Sequence, residues 1–132
     1  MKECIMNRNT GIEKNKRIYL YALLIGYACL LMFFCTKSSP LYIINDWYDA
    51  NAYFTMGKGM MNGAVPYRDL FDHKGPLLYL LYGIGYLIDS TGFFGIFLIQ
   101  SIFMSLTMIF CYKIAKLYID NYFHAIIISM LV

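Results

Sequence analysis

Apolar residues in this chain come in long blocks, not in alternation or in short amphipathic stripes. The first block, Ile18 to Cys35, holds no charged residue. Its eighteen residues, at about 1.5 Å each, make a helix of roughly 27 Å, close to the roughly 30 Å of a bilayer core. This predicts a spanning helix over 18–36. A second block runs from Pro76 to Ile88 and a third from Gly92 to Tyr112. Asp89-Ser90-Thr91-Gly92 between them reads as a tight turn, and Pro76 suits the first turn of a helix, where its missing N–H costs nothing. These blocks predict second and third spans over 76–88 and 92–112. The second is short for a span, and a re-entrant or interfacial segment competes with it. A fourth block starts at Tyr122, with His124 as a water-interface residue, and is cut short at Val132. The expectation is an N-terminal fragment of a longer membrane protein, or else a small protein whose last helix is half inserted.

Composition agrees with the pattern. Hydrophobic residues make up 60% and charged residues 14%, against about 45–50% and about 25% in average soluble domains. The fold class expected is all-α: multi-pass transmembrane helices with a large outer loop that carries a short juxtamembrane helix. A cleaved signal peptide is the competing reading of 18–35. The run is longer than a usual h-region, Cys35-Thr36-Lys37 is not a small-residue cleavage site, and further apolar blocks follow.

Charge sets an orientation. Residues 1–17 form a basic leader, with Lys2, Arg8, Lys14, Lys16 and Arg17 against Glu3 and Glu13, which predicts a cytoplasmic N-terminus. Lys37–Gly75 is then outside and Asp89–Gly92 inside. Lys113 and Lys116, following the third helix, fall outside. Five basic residues inside against six outside leave the total undecided, so the first helix carries the assignment. The net charge of +3 is explained by the leader and calls for no nucleic acid. Cys4, Cys29, Cys35 and Cys111 show no CxxC or metal spacing and read as small apolar residues. Gly26, Gly83 and Gly85 read as places of close helix contact.

The polar chemistry is concentrated in 37–75, KSSPLYIINDWYDANAYFTMGKGMMNGAVPYRDLFDHKG. A connection this long is functional or disordered, and this one is too aromatic and apolar for disorder. Asp49 is placed to cap a short helix running to about Asn62, closed by Gly63 at C′. Tyr53, Met56, Met60 and Met61 share one face of it, while Gly57 and Gly59 weaken it as an independent helix. Val65-Pro66-Tyr67 is expected to be extended. Taken singly, Asp46 and Asp49 are caps, Arg68, Asp69, Asp72 and Lys74 are loop ion pairs of little energy, and His73 is solvated. Together they give a membrane-face loop a carboxylate able to take a proton and cations able to neutralise a phosphate.

The run Asp49-Ala50-Asn51-Ala52-Tyr53, then Gly63, Pro66-Tyr67 and Phe71-Asp72-His73-Lys74-Gly75-Pro76-Leu77, resembles the first outer loop of GT-C fold membrane glycosyltransferases. The nearest group is the bacterial relatives of protein O-mannosyltransferases and lipid A aminoarabinose transferases. The resemblance covers 18–132 in layout and Asp49–Leu77 in motif. It implies transfer of a sugar from a polyprenyl-phosphate donor to an extracytoplasmic acceptor in the cell envelope, at a bacterial plasma membrane. It implies Asp49 as catalytic acid/base, Lys74 and Arg68 on the donor phosphate, and Asp46, Tyr53 and His73 in support. Two departures stand out: the family's Glu is Ala50 here, and the first proline of its pair is Gly75. The competing functions are a small non-enzymatic membrane protein, such as a subunit or degenerate gene product, and a transporter fragment. Transporters bury charge in mid-membrane helices, and here the charge lies in a loop. The sugar, the acceptor and any divalent cation are not legible in these residues, and three helices and part of a fourth are too few to enclose a donor site alone.

Overall fold

The computed structural model describes the backbone of residues 2–131 and the side chains of residues 15–131. It is all-helical: α1 spans Lys2–Cys35, α2 Tyr48–Met61, α3 Pro76–Ile88, α4 Phe94–Tyr118 and α5 Tyr122–Met130. Among the described residues, β pairing is limited to an isolated bridge between Pro66 and Leu70. Two stretches are long and apolar enough to cross a membrane, Asn15–Cys35 and Phe94–Tyr118, while Pro76–Ile88 is apolar but shorter. The side chains of Lys2, Glu3, Cys4, Arg8, Glu13 and Lys14 lie outside the described residues.

Two helix bounds depart from the pattern-based expectation. α1 reaches back to Lys2, so leader and first span form one helix. No proline interrupts the chain before Pro40. α4 starts at Phe94 and continues to Tyr118, so Lys113 and Lys116 lie within it and not in a following loop. Lysine is a good helix former, and its long stem lets the ammonium leave an apolar helix. Lys116 Nζ donates to the Asp120 carbonyl at 2.7 Å, a cation on the carbonyls that follow the last turn.

The chain divides into two compact units, Met1–Leu30 with Met104–Val132, and Leu31–Phe103. In the first unit, Leu20 and Leu24 of α1, Tyr112 and Ala115 of α4 and Ala125 of α5 form one buried cluster. The beginning of the α1 span therefore lies against the end of α4. The Asn121 side chain accepts from the Phe123 N–H at 2.9 Å and caps α5. Gly26 does not serve a close contact: a Cβ there would meet nothing within 4 Å. A small residue permits close approach but does not cause it.

The second unit contains the end of α1, all of α2 and α3, and the start of α4. Here the end of α1 lies against the start of α4, through Phe33 on Phe97 at 6.5 Å and a Thr36 hydroxyl donating to Gln100 Oε1 at 3.0 Å. α2 packs on α3 backbone to backbone. A Cβ on Gly57 would fall 2.4 Å from the Gly83 nitrogen and 2.8 Å from the Tyr79 carbonyl oxygen. Aromatic rings close the contact on either side, Tyr53 on Tyr82 at 5.6 Å and Phe54 on Tyr86 at 5.9 Å. Gly85 and Gly95 make the corresponding crossing between α3 and α4, where a Cβ on Gly95 would lie 2.1 Å from the Gly85 oxygen. The close contacts expected of Gly83 and Gly85 are thus present.

α2 forms where the loop pattern placed a helix, but Asp49 is not its cap. The N-cap is Trp47 and makes no side-chain cap bond. Asn51 Nδ2 holds that end by donating to the carbonyls of Asn45 and Trp47, both at 2.8 Å. Asp49 sits in the first turn, where its negative charge suits the helix dipole. Gly63, at φ +90°, follows the C-cap Asn62 as expected. The extended reading of Val65-Pro66-Tyr67 fails at Tyr67, which has φ +66°. The N–H of Tyr67 donates to the Leu70 carbonyl at 2.7 Å and that of Asp69 to the Val65 carbonyl at 2.9 Å, so the chain reverses where proline rules alone favour extension.

The Asp89 turn is built as its composition suggests. Asp89 Oδ1 accepts from the N–H groups of Thr91 and Gly92 at 3.1 and 3.0 Å, and Oδ2 from that of Phe94 at 3.3 Å. The Thr91 N–H leads the interactions that hold the Asp89 carboxyl below the usual carboxylate range.

Gly57→Ala should destabilise the second unit by about 3 kcal/mol, the upper end of overpacking costs, because backbone atoms and no flexible side-chain tip stand in the way. Gly26→Ala should instead gain about 1 kcal/mol from helix propensity. Thermal unfolding in detergent checks both, and equal shifts for the two would contradict the contact. Asp89→Ala should cost about 1 kcal/mol, as for loss of a capping side chain, and raise protease cleavage between Ile88 and Phe94.

Candidate functional site

Asp49 opens onto a cavity of about 350 Å³ in the second unit. The end of α1 supplies Thr36 and Lys37 to its wall, the segment before α2 supplies Asn45, α2 supplies Asp49 and Tyr53, α3 supplies Tyr82 and α4 supplies Gln100. Each gets there for a local reason. Lys37 follows the last turn of α1, where the chain turns through the Ser39 N–H to the Thr36 carbonyl at 3.1 Å. Asp49 and Tyr53 lie four residues apart and so share a face of α2. The glycine contact with α3 then turns that face toward Tyr82.

The Lys37 ammonium lies 3.2 Å from Asp46 Oδ1 and 5.0 Å from the centre of the Tyr42 ring. Asp46 is 67% exposed, so the pair is screened and holds Lys37 in place only weakly. The Asp49 carboxylate has no ion-pair partner among the described residues. Asp49 and Lys37 thus both line a largely apolar cavity, with the Thr36–Gln100 pair beside them, while the Lys37 ammonium itself rests on Asp46 and Tyr42.

The remaining residues singled out in the sequence gather at a separate corner, 65–79. Arg68 engages Asp69 with two nitrogens, each at 2.8 Å. That contact, with the Val65 N–H, lowers the Asp69 carboxyl and raises Arg68. His73 Nδ1 lies 3.0 Å from Asp72 Oδ1. Lys74 is exposed, but its backbone is held on both sides: its N–H donates to the Tyr79 hydroxyl at 2.9 Å and its carbonyl accepts from the Tyr67 hydroxyl. Asp72 Oδ2 is buried without a hydrogen bond of good geometry. Desolvation opposes the charged Asp72, but the His73 N–H, the Tyr79 hydroxyl and the His73 and Lys74 charges outweigh it, and the carboxyl is lowered.

The cavity therefore unites Asp49 and Tyr53, while Arg68, His73 and Lys74 do not line it. Two of its residues escaped the sequence reading. Gln100 had a signal, a lone amide in an otherwise apolar helix, which is costly in a membrane unless it has a partner or a task. Lys37 had none, because a lysine just past a spanning helix is ordinary. Among the described residues, no three His, Cys, Asp or Glu side chains come together as a metal-ion donor set.

Acid should loosen the 65–79 corner. Asp69 and Asp72 both have lowered folded-state pKa values, so their stabilisation is present above the ordinary carboxylate value of 3.8 and lost as pH falls through the folded values. The near-ultraviolet circular dichroism of the tyrosines should hold steady down to that range and then decline. Asp69→Asn should lessen the decline, and a signal unchanged to about pH 2 would contradict the assignment.

Comparison of the chain with protein-family models, curated proteins and solved structures finds no match.

Proposed function

We propose that this chain carries the outer-loop part of a membrane glycosyltransferase of the GT-C kind, which uses a polyprenyl-phosphate sugar donor, with Asp49 as general base and Lys37 as the phosphate-side cation. The observation that carries the reading is the shared cavity: Asp49 and Lys37, on different elements, both line one largely apolar space. In the reaction, the acceptor hydroxyl gives its proton to Asp49 as its oxygen bonds to the anomeric carbon. The bond from that carbon to the phosphate breaks on the opposite face, and the electron pair leaves with the polyprenyl phosphate. Lys37 exchanges Asp46 for this anion and stabilises charge where it develops. The residue favoured by resemblance for the phosphate, Lys74, gives way to Lys37 in this reading because it does not line the cavity, and Arg68 is already engaged by Asp69.

The orientation proposed has two spans. α1 crosses outward from a cytoplasmic N-terminus, and α4 crosses back. Two contacts support it: the end of α1 lies beside the start of α4, and the beginning of the α1 span beside the end of α4. The chain between them must then begin and end on one side, so α3 cannot cross alone. Its thirteen residues reach only about 20 Å, short of the roughly 30 Å required. Lys113 and Lys116 return to the cytoplasmic side with Lys2, Arg8, Lys14, Lys16 and Arg17, and Lys37, Lys58, Arg68 and Lys74 stay outside. The conflict with the positive-inside rule, which three spans create, disappears.

Cysteine labelling of intact cells tests the orientation. Ile43 is 99% exposed, and an impermeant reagent should modify Ile43→Cys. It should also modify Ser90→Cys, which three spans would hide inside. Labelling of Ser90→Cys only after lysis would refute the two-span arrangement.

Transfer assays in native membranes test the chemistry. Asp49→Asn should lower transfer by about 10²–10⁴-fold, the usual range for a general base, with expression and insertion unchanged. Lys37→Ala should impair donor use more than Lys74→Ala, and Asp46→Asn should be mild. Normal transfer in Asp49→Asn would reject the proposed base.

A further inference from the structure

The first unit has a groove of about 460 Å³, lined by Lys16, Tyr19, Leu20 and Leu23 of α1 and by Tyr122 and Ile126 of α5. Its wall is apolar apart from the two tyrosine hydroxyls and one ammonium, that of Lys16. A second ammonium borders it: Lys116 Nζ sits 4.6 Å from the centre of the Tyr122 ring. Arg17 is next to Lys16 in sequence, and the Tyr112 ring of α4 lies 6.2 Å from that of Tyr122. Lys113 is on the same last turns of α4. The pairing of the start of the α1 span with the end of α4 thus gathers four cations at one end of the unit. The acids near that end in sequence are Asp120 and Glu13, the latter's side chain lying outside the described residues.

An apolar slot with cations at one end has the shape of an anionic amphiphile. On the two-span reading above, this end faces the cytoplasm. There, basic pockets between membrane helices take acidic lipid head groups, and tyrosines sit at head-group depth. A soluble anion would use the ammonium groups and leave Leu20, Leu23 and Ile126 without a partner. A zwitterionic lipid would fill the slot, but its own cation would stand beside the Lys16 and Lys116 ammonium groups.

We propose that this groove binds one anionic phospholipid of the cytoplasmic leaflet, with an acyl chain along Leu20, Leu23 and Ile126 and the phosphate between Lys16 and Lys116. The site is separate from the Asp49 cavity and independent of glycosyl transfer, but it rests on the membrane reading.

Native mass spectrometry of the full chain, released from detergent with phosphatidylglycerol or phosphatidylcholine, tests it. The unaltered chain should retain one phosphatidylglycerol in preference to phosphatidylcholine. Lys16→Gln with Lys116→Gln should reduce that preference by about 30-fold, from roughly fivefold per lysine near a lipid phosphate. Leu23→Trp, at a half-exposed position, should crowd the slot and weaken retention of both lipids. Equal retention of the two lipids, an unchanged preference in the double lysine variant, or displacement of the lipid by inorganic phosphate would each overturn the proposal. Alkaline extraction of the membranes reads the membrane assignment separately: a chain released into the supernatant would refute that assignment, whatever the lipid preference.

Discussion

At the contact between Gly57 and Gly83, two helix backbones touch with no side chain between them. Neither glycine is a good helix residue, and α2 carries a second weak position at Gly59. As an isolated peptide α2 would be marginal, since a helix of this length gains little from its own hydrogen bonds. The close approach supplies what propensity lacks. It lets Tyr53 and Phe54 pack on Tyr82 and Tyr86, and it buries Met56 and Tyr79. The direction in which α2 presents Asp49 follows from that contact.

The constraint reaches beyond α2. α3 is held by Gly57 on one side and by the Gly85–Gly95 crossing on the other, so a thirteen-residue apolar helix finds its partners within the protein. Leu77, Leu80, Ile84, Leu87 and Ile88 stay exposed, an apolar face that these contacts do not use. The backbone reversals on either side are secured by side chains, Asp69 at the Val65 corner and Asp89 before α4. Both carboxyls are held below the usual carboxylate range, Asp69 first by the Arg68 guanidinium and then by the Val65 N–H, Asp89 first by the Thr91 N–H.

The chemistry proposed for the cavity and the lipid site proposed for the first unit each depend on a contact of α1 with α4 inside its own unit. With the end of α1 beside the start of α4, Thr36 and Lys37 come to stand across from Gln100. With the start of the span beside the end of α4, Lys16 and Lys116 border one groove. Lys37 on the one hand and Lys16 with Lys116 on the other, separated widely in sequence, thereby acquire distinct surroundings, one beside Asp46 and the Asp49 cavity, the other beside Leu20, Leu23 and the tyrosines.

The sequence by itself determined the helical class, the long uncharged stretch of α1, the start of α3 at Pro76, the Asp89 turn, and α2 with Gly63 behind it. These follow from hydropathy and from the conformational limits of proline and glycine, which act within a few residues. Tertiary structure decided the rest. Gly83 and Gly26 look alike in sequence, yet one meets a backbone and the other meets nothing, because contact requires a partner and not merely permission. Lys37 and Lys74 flank the same loop, yet only Lys37 shares a cavity with Asp49, because the packing of α2 on α3 carries Asp49 toward the end of α1. Tyr67 enters the left-handed region because Leu70 supplies a carbonyl for its N–H. Each outcome depends on an atom that the local sequence pattern does not specify.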